Sequence, residues 1–361
     1  MFSSPLLAAD RTWLPSRFRT WAGRRLSGPP PGPVRQRWRA AIYQLDRLGD
    51  FILAGSAIRQ LLATWGEADC LLVVSPWAAP LAAREFPRTP RLVLPGNAPS
   101  LARNLLPAWA RERPRLRGML FDRVVCLSHH RDLYKEVALS WLASPRIDRL
   151  DRTTYPLAPA ASWCLELTAH RQLLGTVLGR PIAPDEITPR FESITAHSGA
   201  ELLVCPLASE AVRCLPEPVL IAALAQWRRR SRARIALCGS SHQTGTLLRL
   251  VTVLRQRGLG PVDLAPTPTF DAFVARIADA GAVFAVESAP AHLATALDKP
   301  AVILTGGGTF GLCGPWRRSA RQTLLHHEVP CYGCGGRCTE PEIHCLTRIS
   351  PEAIAAALPA L

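Results

Sequence analysis

The sequence predicts an α/β protein built from two Rossmann-like parallel-sheet domains that face each other across a cleft. Short apolar runs, typical of buried strands, alternate with amphipathic helical stretches along the chain. This alternation indicates parallel sheets, whose strands are joined through helices. The length of 361 residues is enough for two domains of ordinary size, each with its own core.

The first half of the chain predicts the N-terminal domain, residues 39–185. Apolar runs predict strands at residues 40–45, 70–74, 91–94 and 124–127. Apolar residues at helical spacing predict helices at residues 51–63, 78–86, 101–109, 133–142 and 165–178. The proline-containing stretch 180–189 is expected to be a linker.

The second half shows the same alternation and predicts the C-terminal domain, residues 190–361. Strands are predicted at residues 202–205, 235–238, 262–264, 282–286 and 301–304. Helices are predicted at residues 219–227, 246–257, 270–280 and 291–297. This domain includes a cysteine-rich loop at residues 331–345.

Residues 1–38 form a basic, proline-rich extension. Its arginines alternate with tryptophan, phenylalanine and leucine, as in segments that lie on anionic membrane surfaces; a disordered basic tail is the alternative. It lacks the apolar centre of a secretion signal, and no apolar run reaches the ~18 residues that span a bilayer. We therefore expect a cytoplasmic protein, with peripheral contact to the inner face of the membrane as an option.

The net charge of +15 comes from 43 basic and 28 acidic residues. An arginine-favouring genome explains this excess, and attraction to an anionic nucleotide, glycan or membrane is the functional explanation. Nucleic acid is not an expected partner, because the arginines are scattered and form no stripe with aromatic residues. The 11 cysteines without a secretion signal indicate a reducing compartment.

The most informative segment begins where the apolar run 281–286 ends in Glu287 and Ser288. Ligands of open parallel sheets bind outside the carboxyl ends of such strands. The helix that follows Pro290 offers free backbone N–H groups and a positive dipole end to an anion. After the next strand, consecutive glycines without a Cβ would let the backbone approach a ligand; they are Gly306, Gly307 and Gly308. These features predict a nucleotide-diphosphate site.

The same segments carry a family resemblance. Residues 287–297 resemble the Asp/Glu-Thr-Gly…His…Ala-Ala-Leu signature of glycosyltransferase family nine, the heptosyltransferase-like enzymes. Residues 306–311, Gly-Gly-Gly-Thr-Phe-Gly, resemble the Gly-Gly-Gly-His-Phe-Gly loop of a branch with glutamate in that signature. Residues 45–53 resemble the family's Arg-x-Gly-Asp loop, so the resemblance covers about residues 40–358 in the expected order.

The resemblance implies a GT-B fold and an inverting glycosyltransferase of the kind used in lipopolysaccharide biosynthesis. The donor is a nucleotide-diphosphate sugar, with heptose as the candidate sugar, bound by the C-terminal domain. The acceptor is a cell-surface glycan or lipid-linked saccharide, bound by the N-terminal domain. No cofactor is expected for catalysis, because helix dipoles and basic side chains can stabilise the leaving diphosphate. A nucleotide-sugar epimerase of the same fold and a non-catalytic sugar-nucleotide or metal-binding module are the alternatives.

The resemblance also assigns roles to residues. Asp50 matches the family's proposed general base, which takes a proton from the acceptor hydroxyl; Asp46 is the rival carboxylate, and helix capping alone also explains an aspartate at position 50. Arg213 stands near the position of a basic residue that neutralises the leaving diphosphate. The remaining nucleotide-sugar contacts are expected from Glu287, Ser288, Ala289, His292 and the three glycines. A structural histidine that ties loops together is the alternative for His292.

Four cysteines in the glycine-rich loop form a C-x2-C-x3-C-x6-C pattern: Cys331, Cys334, Cys338 and Cys345. Thiolates so closely spaced fit a structural zinc or an iron–sulfur cluster. The branch that the chain resembles carries a similar cluster. Free thiols are the alternative, and His344 is a spare ligand.

Overall fold

A computed structural model of the chain describes residues 33–95, 106–116, 118–129, 133–150, 164–314, 316 and 319–361. Most of the basic extension, residues 1–32, lies outside them. The described residues divide into two compact units: an N-terminal unit within 33–150 and 165–189, and a C-terminal unit of Cys164 and residues from 190 onward. Each unit has one parallel sheet with helices between its strands, so the predicted α/β class with two parallel sheets is confirmed.

The N-terminal unit is built around a five-stranded sheet in the order β3-β2-β1-β4-β5. Its elements are β1 (Gln36–Gln44), α1 (Leu48–Trp65), β2 (Cys70–Val74), α2 (Ala79–Glu85), β3 (Arg91–Val93), α3 (Leu106–Leu116), β4 (Met119–Cys126), α4 (Leu133–Ser140), β5 (Ile147–Arg149), α5 (Leu165–Leu178) and α6 (Pro184–Ile187). All paired strands are parallel. The strand order reverses between β1 and β4, and crevices at such switch points are where ligands bind.

The C-terminal unit has a six-stranded sheet in the order β11-β10-β9-β6-β7-β8. Its elements are β6 (Glu201–Cys205), α7 (Glu217–Arg228), β7 (Arg234–Leu237), α8 (Thr244–Gln256), β8 (Val262–Leu264), α9 (Phe270–Asp279), β9 (Ala282–Val286), α10 (Ala289–Ala296), β10 (Ala301–Leu304), β11 (Gln322–Leu325), α11 (His344–Thr347) and α12 (Pro351–Ala357). The switch point of this parallel sheet lies between β6 and β9.

Strands β1 and β4 begin several residues earlier than their apolar runs predict. The first half of β1 is mostly polar, and the charged residues Asp122 and Arg123 interrupt the apolar residues of β4. Arg37 pairs with Asp122 across the two strands at 2.7 Å. The neighbouring residues Trp38 and Phe121 lie opposite each other in the two strands, and both are buried. An apolar run marks only the part of a strand that is buried on both faces, so it misses such amphipathic ends.

Several short elements were not predicted. The edge strands β5 and β11 are short and only partly buried, so they carry little apolar signal. Helix α12 starts at a capped turn, where the Ser350 hydroxyl accepts a hydrogen bond from the N–H of Ala353 at 3.1 Å. The expected linker 180–189 contains the single helical turn α6. Of the helix predicted at 101–109, residues 101–105 lie outside the described residues.

Each sheet carries its own apolar core. Tyr43, Phe51 and Phe121 are almost completely buried in the N-terminal unit, as are Trp227 and Phe284 in the C-terminal unit. Burial of one large apolar side chain contributes about 1.5–3 kcal/mol, so the two cores hold the carboxyl ends of the strands in place. Among the described residues, no helix is long and apolar enough to cross a membrane.

Candidate active site

Asp50 lies in the first turn of α1, just beyond the carboxyl end of β1. Its Oδ2 accepts a hydrogen bond from the backbone N–H of Arg47 at 3.0 Å, so the aspartate does stabilise the start of the helix. The side chain is 13% exposed. Arg47 is the N-cap and Asp50 is the third residue of the helix, so Asp50 caps the helix from within its first turn and is not the predicted N-cap residue. Its carboxyl group is partly exposed at the switch point of the N-terminal sheet.

The rival carboxylate, Asp46, is completely buried. Its Oδ1 accepts a hydrogen bond from Lys135 Nζ, and its Oδ2 accepts one from the backbone N–H of His129 at 2.8 Å. Its side chain is 0% exposed. A carboxylate held in this way stabilises the loops around it and is out of reach of a substrate hydroxyl.

Two further ionisable residues lie at this point, and sequence reasoning missed both. His129 follows β4, and its Nδ1 lies 3.2 Å from Glu166 Oε1 and 4.0 Å from Asp50 Oδ1. Glu166 belongs to α5 and is buried. The polar Ser128-His129 pair directly after an apolar run was an available signal for the histidine. Nothing in the helix sequence shows that Glu166 faces the end of the sheet.

The cluster shifts the pKa values of two groups. Burial raises the pKa of Asp50 to about 7, although the positive charge of His129 acts against the rise; the charges of Glu166 and Asp46 add to it. For His129, burial acts to lower the pKa, but the carboxylates of Glu166, Asp50 and Asp46 outweigh it and raise the pKa to about 9. These shifts favour the imidazolium form of His129 and the protonated form of Asp50.

In the C-terminal unit, Glu287 follows β9 and joins three segments of the chain. Its Oε2 accepts hydrogen bonds from Arg213 Nη2 and from the Thr309 hydroxyl, both at 3.0 Å. Its Oε1 accepts one from His292 Nε2 at 2.8 Å. Arg213 also donates to the backbone carbonyl of Glu287 at 2.6 Å. The carboxylate thus ties the loop after β6 and the glycine loop to the start of α10.

His292 is held in one tautomer by its two neighbours. Trp316 Nε1 donates to His292 Nδ1 at 3.1 Å. An indole N–H only donates, so Nδ1 is the acceptor and Nε2 carries the hydrogen that reaches Glu287. Burial acts to raise the pKa of Glu287, but the hydrogen bond from His292 and the charge of Arg213 outweigh it and lower the pKa to about 2. Glu287 is therefore ionised at every physiological pH.

The structure places most of the predicted nucleotide-sugar residues around this carboxylate. Arg213 and His292 contact Glu287 directly, and the Ser288 hydroxyl donates to the backbone carbonyl of Val286 at 3.0 Å. Ala289 is the first residue of α10. Contact between any of these residues and a nucleotide diphosphate stays a prediction.

Close packing explains two of the three consecutive glycines in the loop 306–311. A Cβ on Gly307 would lie 2.3 Å from Tyr332 Cδ2, and one on Gly308 would lie 2.6 Å from the backbone nitrogen of Gly336. At Gly306 the closest atom, Cys345 Sγ, would be 3.4 Å away. The cysteine-rich loop thus fills the space that a Cβ on Gly307 or Gly308 would need. Contact between the backbone of these glycines and a ligand stays a prediction.

The cysteine-rich loop folds around a small cavity. Cys331, Cys334, Cys338 and Cys345 all line this cavity of about 30 Å³. Burial and the negative charges of the other three thiolates raise the pKa of Cys331. A soft cation would relieve that repulsion, so the donor set fits a thiolate-bound metal. In the described residues, the four cysteine sulfur atoms do not all lie within 4.8 Å of one another. A single bound ion would therefore draw the cysteine-rich loop together.

Comparison with known proteins gives a family match over part of the chain. Residues 184–342 match the family model described as Glycosyltransferase family 9 (heptosyltransferase). The family resemblance noted in the sequence is confirmed by this match. No curated protein matches the chain in sequence.

Solved structures show the fold. The Escherichia coli heptosyltransferase WaaC with ADP has a TM-score of 0.62 at 17% identity, and the match covers 89% of this chain and 98% of that one. E. coli ADP-heptose lipopolysaccharide heptosyltransferase II has a TM-score of 0.60 at 15% identity, with 88% and 97% covered. TibC from enterotoxigenic E. coli, an iron-containing dodecameric glycosyltransferase, has a TM-score of 0.50 at 10% identity, with 90% and 76% covered. The chain therefore has the GT-B fold of heptosyltransferases.

Proposed function

We propose, from the family-nine match of residues 184–342, that this chain is an inverting glycosyltransferase. It transfers a sugar, with heptose as the candidate, from a nucleotide-diphosphate sugar to a hydroxyl group of a glycan or lipid-linked saccharide. The family match is the observation that carries the proposal. The ADP in the WaaC structure supports an adenosine diphosphate sugar as the first donor to test.

Asp50 is the general base in this proposal. The acceptor oxygen attacks the anomeric carbon of the donor, the bond from that carbon to the diphosphate breaks, and the hydroxyl proton passes to the Asp50 carboxylate. Attack from the face opposite the diphosphate inverts the anomeric centre. The partly exposed carboxyl group at the end of β1 and its pKa of about 7 support this role, because a base works best when its pKa lies near the working pH.

The leaving diphosphate binds at the carboxyl end of the C-terminal sheet. The backbone N–H groups at the start of α10 and the guanidinium of Arg213 supply its positive environment. Glu287 holds Arg213 in place, and the side chain of Arg213 remains 22% exposed. His292 and Thr309 act through Glu287, since both donate their hydrogen bonds to its carboxylate.

The four cysteines of the loop hold a structural metal in this proposal, either zinc or an iron–sulfur cluster. Their common cavity supports it, as does the iron content of TibC. Four thiolate ligands leave no open position for a substrate, so the metal braces the loop against Gly307 and Gly308. Catalysis itself needs no cofactor.

The test combines donor binding with transfer. We expect ADP to raise the thermal midpoint more than UDP or GDP, because a ligand bound only by the folded state stabilises it by about 2.7 kcal/mol at 100 times its Kd. With ADP-heptose and heptose-deficient lipopolysaccharide, Asp50→Asn should lower transfer by roughly 10²–10⁴-fold and keep the ADP response. His197→Asn, which replaces an exposed histidine, is the control and should change neither transfer nor the ADP response. A donor that is converted equally well without acceptor would indicate an epimerase, and ADP binding without turnover would indicate a binding module.

A further inference from the structure

We propose that His129 and Glu166 are positioning residues for Asp50: Glu166 holds the imidazolium of His129, which keeps the Asp50 carboxylate in its proton-accepting form. The proposal rests on the proposed role of Asp50 as the base. It adds two residues that lie far from Asp50 in sequence and outside the motifs of the family signature.

The geometry fixes the imidazole between three carboxylates. The backbone N–H of His129 donates to Asp46 Oδ2 at 2.8 Å, which anchors the residue after β4. Its Nδ1 lies 3.2 Å from Glu166 Oε1, 3.5 Å from Asp46 Oδ2 and 4.0 Å from Asp50 Oδ1. The side chains of His129 and Glu166 are 7% and 0% exposed. A charge so deeply buried must be balanced locally, because little water reaches it.

Counting the charges singles out Asp50. The positive charge of Lys135 balances the negative charge of Asp46, to which Lys135 donates a hydrogen bond. His129 balances Glu166, the carboxylate closest to its Nδ1. Among the described residues of the N-terminal unit, the negative charge of Asp50 is then the surplus, and a group with a surplus negative charge in a buried cluster takes up a proton most readily.

Among the described residues of the N-terminal unit, His170 is a further ionisable group that faces this cluster. Its Nε2 lies 3.2 Å from the backbone carbonyl of Leu127, so Nε2 carries the hydrogen. Burial lowers the pKa of His170, which outweighs the effect of Glu166. His170 therefore stays neutral near pH 7 and does not supply the positive charge that Asp50 requires.

The charge on His129 and its effect on Asp50 can be measured without substrate. The 13C signal of the Asp50 carboxyl group, assigned by its loss in Asp50→Asn, reports the Asp50 titration midpoint; the 15N signals of labelled histidine report that of His129. We expect His129→Asn to raise the Asp50 midpoint by about one pH unit or more, because an opposite charge within ~4–6 Å lowers a carboxyl pKa by about 1–3 units. Glu166→Gln should lower the His129 midpoint by a similar amount. His197→Asn, which removes an exposed histidine paired with Asp279 at 2.7 Å, should change neither midpoint.

Two results would overturn the proposal. One is an unchanged Asp50 midpoint in folded His129→Asn. The other is a neutral His129 at about pH 7.5 in the unaltered protein, which decides the question even if neither variant folds. Transfer assays give an independent check: the acid limb of the kcat–pH profile should move to higher pH in His129→Asn, whereas a loss of packing alone would lower kcat equally at all pH values. If Asp50→Asn keeps its transfer activity, the base assignment fails, and the two NMR midpoints still report the charge pairing.

Discussion

Replacing Asp50 by asparagine should stabilise the fold even though it removes the proposed base. The folded protein raises the pKa of this carboxyl group from 3.8 to about 7. At ~1.4 kcal/mol for each pH unit, ionised Asp50 costs up to about 4 kcal/mol of folding free energy above pH 7. An asparagine side chain keeps the hydrogen bond from Arg47 and removes that cost. The attraction between His129 and Asp50 is already included in the pKa of about 7, so we expect a net gain of up to about 4 kcal/mol above pH 7.

The sign of this effect changes with pH in a defined way. Because the folded state holds the proton more tightly, the contribution of protonated Asp50 is present below about pH 4 and is lost as the pH rises to about 7. The advantage of Asp50→Asn should therefore be close to zero near pH 4 and largest above pH 7. Urea unfolding followed by circular dichroism measures it, with the exposed Asp279→Asn as the control. A variant that is less stable than the unaltered protein above pH 7, or an advantage that is constant with pH, would refute the burial argument.

Three further predictions concern the C-terminal unit. Gly307→Ala should lower stability by about 1–3 kcal/mol in thermal unfolding, because the added Cβ would clash with Tyr332. Gly314→Ala is the control, since no atom lies within 4 Å of its added Cβ, and equal effects of the two changes would contradict the packing argument. Glu287→Gln should lower the free energy of unfolding by about 3 kcal/mol at neutral pH, because the lowered pKa of Glu287 gives stability that is present above about pH 4.5 and lost as the pH falls toward 2. Urea unfolding measures this cost, and a cost that persists at about pH 2 would argue against the ion-pair explanation. Anaerobically purified protein should carry near one equivalent of zinc, or a brown iron–sulfur cluster. Cys331→Ser should lose this metal and the control Cys214→Ser should retain it. Metal analysis that finds neither zinc nor iron would show that the four cysteines are free thiols.

Much of the fold followed from local patterns. The apolar runs at β2 and β9 match the observed strands, because a strand buried on both faces has no polar positions. The polar residues after β1 and β9 predict where ligands bind, since the carboxyl ends of parallel strands lie at one edge of a sheet. The amphipathic beginnings of β1 and β4 escaped prediction because their burial depends on pairing with each other.

The site shows the same division between local and long-range information. By itself the sequence determined the α/β class, the resemblance to family nine and the position of Asp50 at a strand end. Only the tertiary structure decided that Asp46 is buried against Lys135 and that Glu166, distant in sequence, lies beside His129. The reason is physical: a residue's place at a strand end is set by neighbouring residues, whereas its charge and exposure depend on side chains brought in by other elements.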